Sequence, residues 1–140
     1  MSQTSSYKPG GEHLRKLNDY KQYSTRGMEY DKSDVNKVTI FTSESLKHWV
    51  AKTILFYKLR QLGHNVVSEV PIPGLGVADL IDLTLNIQYE IELDVHKHIR
   101  ESKAKKYQRD GVEIIVVHCH KMPTDIKELS SFLDPYIIVD

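Results

Sequence analysis

Residues 87–117 constrain this chain more than any other stretch. IQYEIEL reads as a strand. HKHIRESKAKKYQRDG follows at helical spacing and is closed by Gly111. VEIIVVHCH is a second strand, and its residues 114–117 are apolar without alternation. Strand, helix and strand in this order make a βαβ crossover, whose two strands lie parallel in one sheet. The unbroken apolar run predicts a central strand covered on both faces.

The flanking segments extend this unit. FTSESLKHWVAKTILFYKLRQLGHNVV predicts a helix with Thr42 or Ser43 as its cap. Leu46, Trp49, Val50, Thr53, Ile54 and Tyr57 recur at three- and four-residue steps and predict the buried stripe, with Lys47, Lys52, Lys58 and Arg60 largely outside it. Gly63 suits the left-handed residue that closes a helix. NVVSEVPI then predicts a strand that Pro71 and Pro73 place near an edge. GVADLIDLTL and IQYEIEL, parted by little more than Leu85-Asn86, predict a β-hairpin. TDIKELSSFL predicts a short helix capped by Thr124, and YIIVD a last short strand. The expected architecture is α/β: a mixed β-sheet flanked by helices on both faces.

Residues 41–140 form one domain in this reading. Residues 1–40, poor in aliphatic side chains, are expected to be a flexible arm with one weak helix around Leu14 and Leu17. The single cysteine, Cys119, cannot form an intrachain disulfide or a multi-cysteine zinc site. No apolar run approaches the roughly 20 residues that cross a bilayer, and the N-terminus lacks the apolar core of a secretory signal. An intracellular protein without membrane contact is expected. The formal net charge is zero, so any nucleic-acid partner must meet locally gathered positive charge.

The hairpin carries the chemistry. Strand parity puts Gln88, Glu90 and Glu92 on one side and Tyr89, Ile91 and Leu93 on the other, toward a core. Asp79 interrupts the apolar segment VADLI on the neighbouring strand. Cross-strand neighbours approach within about 5 Å, so Asp79 and Glu90 can share a hard cation. Mg²⁺ prefers such oxygen ligands and would remove the repulsion between the two acids. A metal held there can orient a phosphate and lower the pKa of a water. Asp82 has the opposite parity and is expected at the surface or in the turn.

In this setting the chain resembles the PD-(D/E)XK nuclease superfamily, whose restriction-endonuclease-like core has the order αβββαβ. The resemblance spans residues 43–117, from the capped helix through ADLIDL and YEIEL to the basic helix and the apolar strand. It implies that Asp79 is the first acid of the motif and Glu90 the second. The Ile91 carbonyl would be a backbone metal ligand, and Glu44 the additional acid that some members use. Ala78 stands where the motif has proline. Glu92 stands where it has the catalytic lysine, as a further ligand or to orient water. Lys97 or Lys103, from the next helix, would then supply the missing charge. The implied activity is hydrolysis of DNA phosphodiester bonds with Mg²⁺ or Mn²⁺, by an endonuclease more than an exonuclease. Lys97, Arg100, Lys103 and Lys106 would meet the DNA backbone. Short stand-alone members occur in archaea, their viruses and mobile elements, so cytoplasm or host cytoplasm is the implied location. A Holliday-junction resolvase-like homodimer falls within the resemblance. The alternative is a catalytically inactive module of this fold that binds DNA or a protein partner, with Glu92 marking lost chemistry.

Plainer roles compete at several positions. Glu92 can pair with the basic helix on a solvated face, and that helix can itself be a solvated face. Glu44 can serve the helix dipole. His96-x-His98 and His118-x-His120 lack the partners for a closed zinc site. Cys119 suits a small buried filler, and Trp49, Phe56 and Tyr57 suit the core.

Overall fold

A computed structural model of the chain describes residues 28–138, Arg100 by its backbone only. Helix α1 (Leu46–Gln61) precedes strands β1 (Val66–Ile72), β2 (Gly76–Asp82) and β3 (Ile87–Glu92). Helix α2 (Lys97–Tyr107), strand β4 (Glu113–His118) and helix α3 (Ile126–Leu133) follow. The four strands lie in the order β1-β2-β3-β4. β1 with β2 and β2 with β3 are antiparallel, and β3 with β4 is parallel across α2. The expected mixed α/β sheet, the hairpin and the βαβ crossover are all present. Among the described residues no helix is long and apolar enough to cross a membrane.

Each face of the sheet has its own core. On one, Ala51, Leu55 and Leu59 of α1 and Leu129 and Leu133 of α3 pack on Val66, Leu80, Tyr89, Ile91 and Val117. On the other, Tyr107 of α2 and Met28 pack on Val67, Val70, Ile72, Ala78 and Ile81. β4 is not central: among the described residues it pairs only with β3 and forms an edge. Its apolar run is nonetheless used on both sides, since Ile115 packs on the first core and Ile114 on the second.

Helix α1 turns only part of the expected stripe inward: Val50 and Ile54 pack against the first core, but Ala51, Leu55 and Leu59 form the buried side. Leu46 and Tyr57 are 72% and 60% exposed, whereas Lys52 is wholly buried. Carboxylates of Glu44 and Glu69 surround the buried ammonium. Ser45, not Thr42 or Ser43, caps the helix, its hydroxyl accepting from the His48 amide at 3.2 Å. Gly63 closes it at φ 82, with the His64 amide reaching back to the Leu59 carbonyl and the Gly63 amide to Arg60. At α3 the cap is Asp125, one residue past Thr124, accepting from Glu128.

Two chain ends differ from expectation. Residues 136–138 form no strand: Pro135 sits in a 3-10 turn (Asp134–Tyr136), and Ile137 and Ile138 pack on the first core. Val139 and Asp140 lie outside the described residues. Of the expected flexible arm, residues 1–27 also lie outside them. Residues 28–40 run beside β1, where Glu29 donates to the Pro71 carbonyl, Asn36 to Val66 and Thr39 to the Ser68 hydroxyl. β1 is an edge strand, as its prolines suggested. Its alternation breaks at Glu69, whose φ is 52, so that Val67 and Val70 both join the second core.

Candidate active site

The site begins where the hairpin opens. The β2–β3 ladder pairs Asp82 with Ile87, Ile81 with Gln88 and Leu80 with Tyr89, then stops. At the next step side chains replace backbone. The Ile91 amide donates to Asp79 Oδ2 at 2.7 Å, and the Asp79 amide donates to Glu90 Oε2 at 3.0 Å. Gln88 Nε2 also donates to Glu90 Oε2, at 3.0 Å. Two carboxylates on adjacent strands are thus held by fixed donors in the interior, with Asp79 9% and Glu90 1% exposed. Burial, and then the charge of Asp79, push Glu90 up to about 7, against the opposing pull of the Asp79 amide, Gln88 and Lys103.

Lys103 of α2 enters this arrangement. Its Nζ lies 3.3 Å from Glu92 Oε1, 3.3 Å from the Ile91 carbonyl oxygen and 4.0 Å from Glu90 Oε1. Glu92 is held in turn by the Asp94 amide, which donates to its second oxygen at 2.8 Å. Lys103 reaches inward because it shares a helix face with Tyr107, four residues on, which is anchored in the second core and donates to the Val77 carbonyl at 3.2 Å. Lys97 and Lys106 are exposed. Lys97 makes no ion pair among the described residues, and Lys106 lies over the Tyr107 ring. Of the two lysines expected to supply charge, the structure brings Lys103 to the acids and leaves Lys97 outside.

Helix α1 contributes a second layer. Glu44, His48 and Lys52 are spaced by four and share one face. His48 Nε2 lies 3.3 Å from Asp79 Oδ1, and its Nδ1 lies 2.6 Å from Glu44 Oε2 as an ion-pair contact without hydrogen-bond alignment. Burial lowers the affinity of His48 for its proton, but the Asp79 hydrogen bond and the Asp79 and Glu44 charges outweigh it, so its pKa is raised. The buried ammonium of Lys52 bonds both Glu44 oxygens, at 3.0 and 2.9 Å, and Glu69 Oε2 at 2.9 Å. Burial raises the pKa of Glu69 despite that partner. Glu44 therefore meets Asp79 through His48, with its own carboxylate committed to Lys52.

Sequence reasoning missed four members of this network. His48 and Lys52 had a signal, the Glu-x₃-His-x₃-Lys spacing that runs from just before the cap of α1 into the helix. Glu69 had none, because its position depends on the break in β1. Arg109 donates to Gln88 Oε1 at 2.8 Å and so fixes the amide that holds Glu90, a link through folding alone. Asp82 serves the turn, accepting from the Thr84 and Leu85 amides, but it is fully buried and not at the surface, 2.6 Å from His64 Nδ1. His96 and His98 are exposed, with His96 held by Asp94. Cys119 is buried, and burial pushes its thiol up to about 11.

Among the described residues no three or more His, Cys, Asp or Glu side chains stand ready as a metal site. The donor set still fits a hard cation. Glu90 Oε1 and the Ile91 carbonyl oxygen lie 4.0 and 3.3 Å from one cation, the Lys103 ammonium, and oxygens of this kind are the donors a hard cation takes. An open depression of about 730 Å³, which shares Glu69 with the Lys52 ion group, is bordered by Glu29, Asp31, Asp34 and Glu69, a charge that repels phosphate. No family model matches the chain, and no curated protein or solved structure matches it.

Proposed function

We propose that the chain is a Mg²⁺- or Mn²⁺-dependent deoxyribonuclease with a restriction-endonuclease-like αβββαβ core of the PD-(D/E)XK type, cutting DNA phosphodiester bonds internally. One observation supports this above the others. Asp79 and Glu90 are buried side by side where a hairpin opens, and a lysine from the following helix comes within 4.0 Å of Glu90. Burying two acids together is costly unless a cation is shared. Mg²⁺ or Mn²⁺ at Asp79, Glu90 and the Ile91 carbonyl would neutralise phosphate charge and favour ionisation of a water.

The chain's own residues supply the rest. Ile91 N–H and the Asp79 amide hold the two acids in place, and Gln88 keeps an oxygen of Glu90 as an acceptor. Lys103 brings positive charge to the point where a phosphate oxygen becomes more negative in the transition state. Glu92 orients Lys103. His48 sits against the outer oxygen of Asp79 and sets its direction. Lys97, Arg100 and Lys106 on α2 meet the DNA backbone, and a homodimer would place two such sites on two strands. In this reading the protein works inside a cell, on DNA held there.

The second reading is an inactive module of the same fold that binds DNA. The internal pairing of Lys103 with Glu92 favours it, because a lysine bound to a carboxylate is partly neutralised. Supercoiled and linear DNA, incubated with Mg²⁺, Mn²⁺ or EDTA, separate the two. Metal-dependent cutting that is lost in Asp79→Ala and Glu90→Ala, with both variants folded by circular dichroism, supports the nuclease. Retained DNA with no cutting supports the module. Intact DNA and no gel shift would sink both.

A further inference from the structure

Two lysines lie among the acids of the site, and they are held differently. Lys52 is wholly buried and bonds three carboxylate oxygens at 2.9–3.0 Å. Lys103 is 28% exposed, its contacts are longer, at 3.3, 3.3 and 4.0 Å, and one of its partners is a backbone carbonyl. The first is a fixed structural counterion. The second has the looser contacts and open side of a group that can leave.

We propose that Lys103 is an exchangeable internal cation: its ammonium stands in for the divalent ion in the metal-free protein and swings out when that ion binds. The inference rests on the metal reading of the site. The ammonium shares two oxygens with that ion, Glu90 Oε1 and the Ile91 carbonyl. Two cations cannot occupy one such group of oxygens, because their repulsion at about 4 Å outweighs thermal energy several-fold at the effective dielectric of a partly buried site. Lysine suits exchange, since its charge is compact and its stem flexible. Glu92 gives the displaced ammonium a place to stay. Its second oxygen is anchored by the Asp94 amide, so the carboxylate keeps its position while Lys103 pivots about it. The exchange lowers metal affinity, and it delivers positive charge next to the bound ion only once that ion has arrived.

Mn²⁺ titration followed by electron paramagnetic resonance, without DNA, tests the competition in the full chain and in Lys103→Gln. The variant is expected to bind Mn²⁺ about tenfold more tightly, having lost the competing charge. Amine labelling with mass-spectrometric readout tests the movement in the wild-type chain. Labelling of Lys103 is expected to rise several-fold at saturating Mn²⁺. Lys52 is expected to stay unlabelled and Lys97 fully reactive with or without the ion. Equal or weaker Mn²⁺ binding by a folded Lys103→Gln, or unchanged labelling of Lys103 at saturation, overturns the exchange and leaves the metal reading standing. If Lys103→Gln does not fold, the labelling result decides. Absence of Mn²⁺ binding in both proteins overturns the metal reading and the exchange with it.

Discussion

Glu92 holds the Lys103 ammonium at 3.3 Å. The carboxylate that stands where the resembled motif has lysine is therefore itself the attachment for a lysine from the next helix. Lys103→Ala should lower the cleavage rate about 100-fold, the usual loss for one preorganised charge at a reacting group. Lys97→Ala removes one exposed phosphate contact, from a lysine without an ion pair among the described residues, and should change the rate at saturating DNA less than about threefold. Glu92→Gln should fall between them, because the amide oxygen still accepts from Lys103 but attracts it less. Single-turnover rates on one DNA substrate check the order. Equal losses in the Lys97 and Lys103 variants would show that the structure has singled out the wrong lysine.

Glu90 predicts a dependence of stability on pH. Its folded pKa lies at about 7, above the ordinary 4.5, so the folded state binds its proton more tightly than the unfolded state. Its contribution is fully present below pH 4.5 and is lost as pH rises through 7. The full loss amounts to roughly 3 kcal/mol, from 1.36 kcal/mol per pH interval. Glu90→Gln, which cannot ionise, should equal the wild type in urea unfolding at pH 4.5 in EDTA. It should exceed it by roughly 3 kcal/mol at pH 8. Saturating Mn²⁺ at pH 8 should erase that advantage. A constant difference across the pH range would show that Glu90 is not buried with a raised pKa.

The fold was legible in the sequence because periodicity and punctuation agreed. Two apolar strands around a helical segment announced the crossover, and Gly63 marked the end of α1. Asp79 and Glu90 stood out because acids interrupt segments that otherwise read as buried. The inward side of α1 was legible only in part. Its apolar residues surround the helix, so spacing alone cannot choose a face, and the actual choice buries a lysine. That choice follows from Glu44 and Glu69, and Glu69 reaches Lys52 only because β1 breaks at a non-glycine residue of positive φ. Periodicity carries no trace of such a break.

Lys52 therefore makes a separate prediction. Lys52→Met keeps the unbranched apolar stem but removes the ammonium, which leaves Glu69 without its counterion and Glu44 with His48 alone. Loss of one partner from a buried ion group costs about 3–5 kcal/mol. The cost should be smaller at pH 5 than at pH 8, since burial already raises the pKa of Glu69 and a protonated Glu69 no longer needs the ammonium. The double variant Lys52→Met with Glu69→Gln should recover part of the loss at pH 8. Denaturant unfolding at both pH values reads all three effects. A Lys52→Met protein as stable as the wild type at pH 8 would refute the buried triad.

Gly76 links the fold to the site through Tyr107. It has φ 143, and a Cβ placed on it would lie 2.6 Å from the Tyr107 hydroxyl and 3.2 Å from Lys106 Nζ. The Tyr107 side is the one that must yield most, and it is anchored in the second core and bonded to the Val77 carbonyl. Gly76→Ala should cost about 2 kcal/mol, combining the strain of a side chain at that φ with the displaced tyrosine. The displacement would move the end of α2, four residues from Lys103, so cleavage should fall about tenfold. Tyr107→Phe removes the clashing oxygen at a cost of about 1 kcal/mol for the lost hydrogen bond. Gly76→Ala made in that background should then cost less than it does alone, and cleavage should recover in part. Purely additive losses in the double variant would show that Gly76 acts through its own backbone and not through the tyrosine.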